Sequence, residues 1–237
     1  MSDTTPSRGL TGAVLKLFGA GDHQLTVTAK TRISPHYLRL SFAAGGLLAN
    51  RSLHPTMWIR LWFTDGAKLH QRGYTLVDPD RANDTVDIEF ALHDGVASHW
   101  AEGAQPGDTI DATVLGSNFT LPQPRPAGYV IVGDTASLPA INSLLDAIGD
   151  APARMFLEAA HDDDTALPVR GADVTWVRRR DAGQALVSAV REAAFHASGH
   201  FGWVACNNRT TRAVATALRE DYRIPRKSIK AQAYWVA

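Results

Sequence analysis

Up to about residue 120, apolar positions alternate with polar ones, which is the period of strands that bury one face. The alternating apolar positions are Leu25, Val27, Ala29, Leu38, Leu40, Phe42, Val86, Ile88 and Phe90. Turn signals such as Ser34-Pro35 and Asp65-Gly66 separate these runs. Short alternating strands joined by tight turns predict an antiparallel barrel or sandwich.

The hydrophobic pattern changes at the connector Leu121–Pro126, which contains three prolines in six residues. Proline continues neither a strand ladder nor a helix interior, so we predict a boundary between domains 23–122 and 123–237. Beyond it, Tyr129–Val132 is an almost continuous apolar strand, typical of a buried parallel sheet. The other predicted strands are 154–159, 174–177, 201–205 and 230–236, and the predicted helices are 138–148, 184–196 and 210–221. This alternation indicates a doubly wound α/β domain.

Residues 1–22 form a separate amphipathic segment. Its apolar positions follow helical spacing on one face, and two basic residues lie near them. The apolar positions are Leu10, Ala13, Val14, Leu17 and Phe18, and the basic ones are Arg8 and Lys16. The pattern fits a helix packed on the protein's own core, and it also fits an interfacial helix at a membrane surface.

Composition narrows the class of protein. The chain has 237 residues, 45% of them hydrophobic, and 24 basic residues balance 24 acidic ones, so we expect no nucleic-acid partner. Cys206 is the single cysteine, which excludes an internal disulfide and suits a reducing compartment. There is no apolar run of about eighteen residues and no apolar leader before a small-residue cleavage site. We therefore expect a cytoplasmic chain.

Two stretches of the first half suit a flavin dinucleotide. In Arg72-Gly73-Tyr74-Thr75, the arginine offers a planar fork of donors to phosphate. The tyrosine, two residues later on a strand, presents its ring on the same face for an isoalloxazine, and the threonine can donate to the flavin ring. A short helix predicted after Asp94-Gly95 would turn its first amides toward a pyrophosphate. Each motif alone equally fits an ordinary strand or loop helix.

The second half has its own candidates at strand ends. Gly133–Ala136 follows the first parallel strand, where an open α/β sheet receives a dinucleotide, although Asp134 or Thr135 could equally cap the next helix. Arg178-Arg179-Arg180 either grips the 2′-phosphate of NADP or is a solvated charge run. Cys206 either lies beside a nicotinamide or is a small buried residue. We interpret His161–Asp164 as a solvated turn and predict no metal site.

Taken together, these segments resemble the siderophore-interacting protein family of flavin-dependent ferric-siderophore reductases. The matching segments are Arg72–Thr75, Phe90–His93, Ala97–Ala101, Pro106–Asp108, Gly133–Ile141 and Ala233–Trp235. Three segments are more specifically similar to the siderophore-interacting domains of mycobacterial ABC transporters that import mycobactin. These are Arg8–Ala20, Gly133–Pro139 and Ile229–Trp235. The chain departs from many family members at Asp94–Val96, where they have a longer turn containing Gly-Pro.

The resemblance implies a ferredoxin-reductase-like fold with FAD on the barrel and NADPH or NADH on the α/β domain. It assigns Arg72 to the flavin phosphate and Tyr74 and Thr75 to the isoalloxazine. The other implied cofactor-binding residues are His93, Ala97, Ser98, Trp100, Gly133, Asp134, Thr135, Ala136, Arg178 and Cys206. Trp100 equally suits the core, and His93 equally suits a strand edge.

The implied activity is a relay from NAD(P)H through FAD to Fe(III) in a mycobactin-type siderophore, releasing Fe(II). Candidate siderophore contacts are Lys227, Lys230, Tyr234 and Trp235, with Leu10, Leu17 and Phe18 facing a membrane. Expected partners are the transmembrane part of an ABC transporter and the cytoplasmic face of the inner membrane. Two alternatives stay open: a generic flavin or ferredoxin-type reductase with another acceptor, and a non-catalytic FAD-binding docking module.

Overall fold

The structure is a computed structural model that describes residues 21–236, except 50, 67, 115 and 172. The predicted amphipathic segment therefore lies, up to residue 20, outside the described residues, as do Leu10, Leu17 and Phe18. The chain divides between Phe119 and Thr120 into two compact units. In the described residues, no helix combines the length and apolar character needed to cross a bilayer.

In its described residues, the first unit is an antiparallel sheet with one helix. Its strands are β1 (Gly21–Ser34), β2 (Tyr37–Ala43), β3 (Trp58–Asp65), β4 (Lys68–Thr75), β5 (Val77–Asp80), β6 (Thr85–Ala91) and β7 (Thr109–Val114), and its helix is α1 (Val96–Gly103). The spatial order of the seven strands is β4-β3-β7-β1-β2-β6-β5. The predicted antiparallel barrel is thus confirmed in its strand type and its curvature.

The sheet curls because its two ends share one core. Tyr74 on β4 packs against Phe90 on β6, with ring centroids 4.5 Å apart, although four strands separate β4 from β6 in the sheet order. The alternating pattern places Leu25, Leu40 and Ile88 in this core, where each has no exposed surface. Burial of such side chains supplies the main driving force for the curl.

One position of the alternating pattern does not follow the prediction. Val27 is buried, but Ala29 is exposed. The β1–β2 register shifts between these residues, since Val27 pairs with Phe42 and Ala29 with Ser41. A bulge of this kind inserts an extra residue in one strand, so the side chains beyond it change faces.

The second unit is a parallel sheet flanked by helices. Its strands are β8 (Tyr129–Asp134), β9 (Ala153–Ala159), β10 (Val174–Arg178), β11 (Phe201–Ala205) and β12 (Ile229–Ala231), and its helices are α2 (Leu138–Ile148), α3 (Gln184–Glu192) and α4 (Asn208–Glu220). The strand order is β10-β9-β8-β11-β12, and all neighbouring pairs are parallel. The predicted doubly wound domain is confirmed.

Both faces of this sheet are covered. Val130 and Val132 pack in one cluster with Val190 of α3 and Val214 of α4. The opposite face carries Gly133, against which α2 packs. Because both faces are buried, the sequence of β8 is an almost continuous apolar run.

Two predicted elements are shorter than expected. The helix predicted to residue 196 ends at Glu192, because Phe195 leaves the helix to pack edge-on against Tyr222, with centroids 5.4 Å apart. The strand predicted over 230–236 is replaced by the shorter strand β12, Ile229–Ala231. Beyond Ala231 the chain continues as an irregular C-terminal segment, which still follows the chain after β11 through the bond from Tyr234 N–H to the Cys206 carbonyl and an isolated parallel bridge between Trp235 and Asn207.

Candidate functional site

The Arg72–Thr75 motif ends β4, which is the edge strand of the barrel sheet. The β3–β4 register places Arg72 and Tyr74 on the face that carries the barrel core, and Thr75 on the opposite face. Because β4 has a neighbour on one side only, a planar group lying along its free edge is within reach of side chains from both faces. The sequence predicted the shared face of Arg72 and Tyr74 but not the opposite orientation of Thr75.

Tyr74 presents a half-buried aromatic surface. Its ring contacts Phe90, with an angle of 43° between the planes, and lies edge-on to Phe63 at 6.0 Å. Burial raises the pKa of the Tyr74 phenol, with the positive charge of Arg72 acting against it. The phenol is therefore neutral throughout the physiological range and can donate a hydrogen bond.

Thr75 and Arg72 have unused hydrogen-bonding capacity. Thr75 is only 5% exposed, and its Oγ1 makes no hydrogen bond within the described part of the chain. A buried hydroxyl without a partner is costly and uncommon, so this atom suits a ligand acceptor or donor. Arg72 is exposed, and its Nη1 donates only to the backbone oxygen of Gln71 at 2.9 Å. Most of its donors thus point to solvent.

The start of α1 offers unpaired amides. The first helical bond runs from His99 N–H to the Gly95 carbonyl at 3.0 Å, so the amides of the preceding turn have no partner within the helix. The first turn carries no acidic side chain. His93 is exposed, and its ring covers Gly95, where an added Cβ would lie 2.8 Å from Cε1 of His93. Such a helix start attracts anions.

Ala97, Ser98 and Trp100 serve the packing of α1. Ala97 and Ser98 are buried, and Ser98 Oγ accepts the backbone N–H of His93 at 3.1 Å, which anchors the turn before the helix. Trp100 lies edge-on to Phe63, with centroids 5.7 Å apart, and packs on the barrel core. The structure thus gives Trp100 the core position that its sequence allowed.

Gly133 is required by helix packing. A Cβ at this position would lie 2.3 Å from Ser137 Oγ and 2.5 Å from Ile141 Cδ1. The helix begins with Ser137 as its N-cap, so neither Asp134 nor Thr135 caps it. Thr135 is nearly buried, whereas Ala136 is exposed. The glycine brings α2 close to β8, one of the roles that glycines have in dinucleotide-binding turns.

A buried charged cluster lies at the carboxyl ends of β8 and β9. Asp134 and Glu158, each 1% exposed, are direct register partners. Arg179 pairs with Glu158, with 2.6 Å between Nε and Oε2, and its guanidinium carbon lies 5.2 Å from the ring of Trp235. The Trp235 indole donates to Asp134 Oδ2 at 2.8 Å. We call these four residues the clasp, because they fix the C-terminal segment to the sheet.

Burial raises the pKa of Asp134 to about 6, while the Trp235 indole and Arg179 act in the opposite direction. A second carboxylate, Glu158, raises it further. Glu158 keeps one oxygen, Oε1, without a partner in the described residues. The clasp is therefore poised to change its protonation in mildly acidic solution.

Cys206 follows β11 and is 1% exposed. Burial, followed by the nearby carboxylates Asp134 and Glu158, raises the pKa of its thiol. Its backbone N–H donates to Thr211 Oγ1 at 3.1 Å, and its carbonyl accepts the N–H of Tyr234 at 2.9 Å. A protonated, buried thiol is no nucleophile, so Cys206 contributes shape and packing rather than covalent chemistry.

A polar groove of about 580 Å³ opens at the ends of β9 and β10. It is lined by Ala159, His161, Asp162, Thr165, Trp176, Arg178, Arg179 and Arg180. Arg178 bonds to Asp162, and Arg179 is committed to the clasp. Arg180 is exposed and forms no ion pair with a described carboxylate. The three arginines of the run therefore differ in their partners, and Arg180 is the one with a free guanidinium among the described residues.

The segment His161–Asp164 belongs to a short 3-10 turn. Asp164 is buried there and accepts the backbone N–H groups of Ala160 and His161 at 2.7 and 2.8 Å. The turn was predicted to be solvated; Asp162 is exposed, but Asp164 is buried because it accepts the amides that enter the turn. Across the described residues, no group of three or more His, Cys, Asp or Glu side chains is arranged to hold a metal ion.

The four candidate siderophore contacts do not form one cluster. Trp235 lies at the carboxyl end of β8, and Tyr234 packs edge-on to Trp203 at 6.3 Å. Lys227 precedes β12 and Lys230 lies within it, beside Trp203 in the register. Because the strands are parallel, Lys227 is at the opposite edge of the sheet from Trp235.

Glu158 and the contact between Arg179 and Trp235 were not predicted from the sequence. A signal for Glu158 was available, since it is the single charged residue in the apolar run Met155–Ala159. An acid at the end of a buried strand needs a partner. That partner is 21 residues later in the chain and directly follows the neighbouring strand β10, so its identity could not be inferred from the local sequence.

Family models match both units. A model described as siderophore-interacting protein matches residues 126–237, and one described as siderophore-interacting FAD-binding domain matches residues 62–114. Together they cover more than half of the chain. The second match contains the Arg72–Thr75 motif and α1.

Relatives with curated names agree with these models. The chain is 36% identical over 242 residues to the mycobactin import ATP-binding/permease protein IrtA of Mycobacterium tuberculosis, which covers 98% of this chain and 28% of that protein. It is 26% identical over 181 residues to the NADPH-dependent ferric-chelate reductase of Escherichia coli, covering 73% of this chain and 69% of that one. The chain thus spans little more than a quarter of the length of IrtA.

Solved structures share the fold. The siderophore-interacting protein SipS of Aeromonas hydrophila superposes with a TM-score of 0.77 at 21% identity, covering 92% of both chains. A ferredoxin NADP+ reductase of Neisseria gonorrhoeae, described with bound FAD and NADP, superposes with a TM-score of 0.66 at 15% identity, covering 90% of this chain and 99% of that one. The fold is therefore ferredoxin-reductase-like, and the chain belongs to the siderophore-interacting protein family, with a FAD-binding domain in its first unit.

Proposed function

We propose that this chain is a NAD(P)H-dependent ferric-siderophore reductase. Residues 23–122 would hold FAD, residues 123–237 would hold NADPH or NADH, and the acceptor is Fe(III) in a siderophore of the mycobactin or carboxymycobactin type. The observation that carries the proposal is the end of β4, where Tyr74 offers a half-buried ring and Thr75 a buried hydroxyl without a partner.

The residues at this strand end fit FAD chemically. Arg72 has free donors for a phosphate, the neutral Tyr74 phenol gives an aromatic wall, and Thr75 can bond to a ring nitrogen or carbonyl. The unpaired amides that open α1, beginning with Val96 and Ala97, suit a pyrophosphate. His93 and Ser98 fix the turn that presents those amides.

The groove at the ends of β9 and β10 supports a nicotinamide cofactor with a 2′-phosphate. Arg180 is the cation best placed for that phosphate, and Arg178 would have to exchange Asp162 for it. Gly133, Thr135 and Ala136 form the turn at the adjacent strand, where an open α/β sheet receives a dinucleotide. We therefore favour NADPH over NADH.

FAD held by Arg72, Tyr74 and Thr75 would supply the conversion between a two-electron hydride donor and a one-electron acceptor. The balance is one NAD(P)H oxidised for two Fe(III) reduced, with one proton released. Reduction frees the iron because the hard oxygen ligands of a siderophore hold Fe(III) far better than Fe(II). The chain's own residues bind and orient the reactants. The buried Cys206 thiol stays protonated, and no step requires it to act as a base.

The choice of siderophore and partners comes from the relatives. IrtA is named for mycobactin import and as an ATP-binding/permease protein. By analogy, we propose a mycobactin-type acceptor, with Tyr234 and Trp235 of the C-terminal segment as contacts, and the transmembrane part of an ABC transporter at the cytoplasmic face of the inner membrane as a partner.

Steady-state turnover with different acceptors tests the proposal. FAD-loaded protein is mixed with NADPH or NADH and with ferric carboxymycobactin, a ferric hydroxamate, ferricyanide or a ferredoxin, with a chelator that traps Fe(II). We expect the highest kcat/KM with the siderophore and with NADPH. An Arg180→Ala variant should raise the KM for NADPH about tenfold and leave that for NADH unchanged, because one phosphate contact is lost. Equal rates with ferredoxin and siderophore would favour a generic reductase.

A further inference from the structure

The charges of this chain are strongly separated along its sequence. Residues 207–237 contain seven Arg or Lys residues and two Asp or Glu residues. Residues 1–206 contain seventeen basic and twenty-two acidic residues. A chain with zero formal charge therefore ends in a segment of about thirty residues with a net charge of +5, balanced by −5 elsewhere. Such a segment can produce a strong local field on the protein surface.

The arginines of α4 lie along one stripe of the helix. Arg209, Arg212 and Arg219 follow a spacing that keeps them within about 80° of one another around the helix axis. The opposite side faces the protein, where its residues are buried. These are Thr210, Thr211, Val214, Ala217 and Leu218. The arginine stripe therefore points directly away from the core, and all three arginines are exposed.

The chain after α4 adds cations at the same corner of the unit. Leu218, Ile229 and Ile224 converge on Gly202, where an added Cβ would lie 2.8, 3.3 and 3.7 Å from their respective side-chain atoms. The end of the helix, the following turn and the start of β12 thus meet there. Three of the exposed residues that follow Arg219 are basic, namely Arg223, Arg226 and Lys227, and the others are Glu220 and Pro225. We call Arg209, Arg212, Arg219, Arg223, Arg226 and Lys227 the basic face.

Little of this charge is neutralised. The two acids of the segment have partners of their own: Glu220 lies 2.9 Å from Arg219, and Asp221 lies 2.7 Å from Arg191 on α3. Among the described residues, no ion pair joins a carboxylate to the other five members of the basic face. The face therefore keeps nearly all of its positive charge.

Most of the basic face is remote from the candidate cofactor site. Arg219, Arg226 and Lys227 lie where α4 ends and β12 begins, which is the amino edge of the parallel sheet. The clasp and the polar groove lie at the carboxyl edge. A dinucleotide held at the carboxyl edge leaves these cations unused, so they call for a different anionic partner.

We propose that the basic face docks on an anionic phospholipid surface. A protein interface of useful affinity needs an apolar or aromatic centre that is desolvated on binding. In the described residues, Val236 is the exposed large hydrophobic side chain, and it does not belong to the basic face. A lipid headgroup layer needs no such centre, since it is a continuous sheet of phosphates that attracts each nearby cation, raising partition about fivefold per cation.

Docking through this face would orient the second unit. The outer side of α4 and the start of β12 would meet the headgroups, whereas the groove lies at β9 and β10, at the other end of the strand order from β12. Cofactor exchange would then remain unobstructed while the protein is bound. This inference does not depend on the proposed reductase activity.

Vesicle co-sedimentation of the full 237-residue chain tests the proposal. We expect binding to vesicles that contain phosphatidylglycerol, little binding to phosphatidylcholine alone, and loss of binding as salt is raised. The variant Arg212→Ala/Arg219→Ala/Arg226→Ala should bind about a hundredfold more weakly, at fivefold per charge. Alanine is a good helix former, so α4 should remain folded, which circular dichroism would check.

A matched control removes three exposed arginines elsewhere. The variant Arg32→Ala/Arg125→Ala/Arg170→Ala loses the same charge, and each of these arginines is already paired with an acid. It should bind vesicles within a few fold of the wild type. The proposal is overturned if the two variants behave alike, if neutral vesicles bind equally well, or if the chain binds duplex DNA but not the anionic vesicles.

Discussion

Thr75 is the residue whose environment most directly indicates a bound ligand. Its hydroxyl is buried and makes no hydrogen bond within the described part of the chain. The neighbouring motif residues Arg72 and Tyr74 share the opposite face of the same edge strand. A hydroxyl in this position destabilises the ligand-free protein and gains a partner only when something binds beside it.

Thr75→Val should therefore act in opposite directions on folding and on binding. We expect the flavin-free variant to be more stable by about 1 kcal/mol, because an unsatisfied hydroxyl is replaced by a methyl of similar shape. Its Kd for FAD should rise about three- to tenfold through the lost hydrogen bond. Urea unfolding and flavin-fluorescence titration measure the two effects. Thr75→Ser keeps the hydroxyl and should bind FAD nearly as the wild type does; a Thr75→Val variant with unchanged FAD affinity would exclude the contact.

Asp134 should give the protein a distinctive dependence on pH. Its pKa of about 6 in the folded state lies above the ordinary value of 3.8. Between these values the folded state binds more protons than the unfolded state, so this group's contribution to stability falls as pH rises and levels off above about pH 7. Between pH 5 and pH 7 the wild type should lose about 1 kcal/mol relative to Asp134→Asn.

The comparison with Asp134→Asn isolates this carboxyl from the other titrating groups, which both proteins share. Urea unfolding at a series of pH values supplies the free energies. A difference between the two proteins that is constant from pH 5 to pH 7 would mean that Asp134 is already ionised in the folded protein at pH 5.

At the scale of elements, the contact between β8 and α2 depends on the absence of a side chain at Gly133. Gly133→Ala should lower the free energy of unfolding by about 1–3 kcal/mol, because the new methyl overlaps Ser137 and Ile141. Gly103→Ala, at the end of α1, is the control, since a Cβ there meets nothing within 4 Å. It should change stability by less than about 0.5 kcal/mol. Equal effects of the two substitutions would contradict the packing role.

Within the clasp, we expect Trp235 and Asp134 to hold the C-terminal segment together, so that the stability effects of substituting them are coupled. Trp235→Phe removes the indole donor and leaves Asp134 Oδ2 buried with one partner fewer, at a cost of about 1–3 kcal/mol. In a double-mutant cycle with Asp134→Asn, we expect a coupling of about 1 kcal/mol. The Trp235→Phe variant should also move the Asp134 titration to higher pH, because the indole lowers the pKa of that carboxyl. Additive effects on stability would show that the two side chains act independently.

The strand and helix pattern was predictable wherever one period continued without interruption. The alternating runs gave β2 and β6, and the continuous apolar run gave β8, since burial on one or two faces leaves a direct record in the sequence. The pattern failed at Ala29, where a bulge exchanges the two faces, and after β12, where regular pairing gives way to an isolated bridge between Asn207 and Trp235. Both depend on a second strand, so a single segment carries no signal for them.

The residues of the candidate site likewise divide into those with a local sequence signal and those that depend on a second strand. Arg72, Tyr74 and Gly133 were predicted as candidates because each belongs to a local motif of a few residues. The clasp was not found, because Glu158 and Arg179 come together only through the β9–β10 pairing. Tertiary pairs of this kind need the strand order as well as the sequence.

At the scale of the whole molecule, two sheets of different type each carry a distinct set of cofactor-binding features. The antiparallel unit has the aromatic and hydroxyl groups suited to a flavin, and the parallel unit has the glycine turn and the arginine groove suited to a dinucleotide. The family model of the siderophore-interacting FAD-binding domain matches within the antiparallel unit, and the fold is ferredoxin-reductase-like. The account therefore requires both units for one electron path, from NAD(P)H through FAD to ferric iron.

An anaerobic single-turnover experiment tests that path most directly. FAD-loaded protein is first mixed with one equivalent of NADPH and then with ferric carboxymycobactin, while flavin absorbance and chelator-trapped Fe(II) are recorded. The account predicts that the flavin bleaches with NADPH, recovers when the siderophore is added, and yields two Fe(II) for each flavin reoxidised. A flavin that NADPH does not bleach, or that stays bleached in the presence of the ferric siderophore, would contradict it.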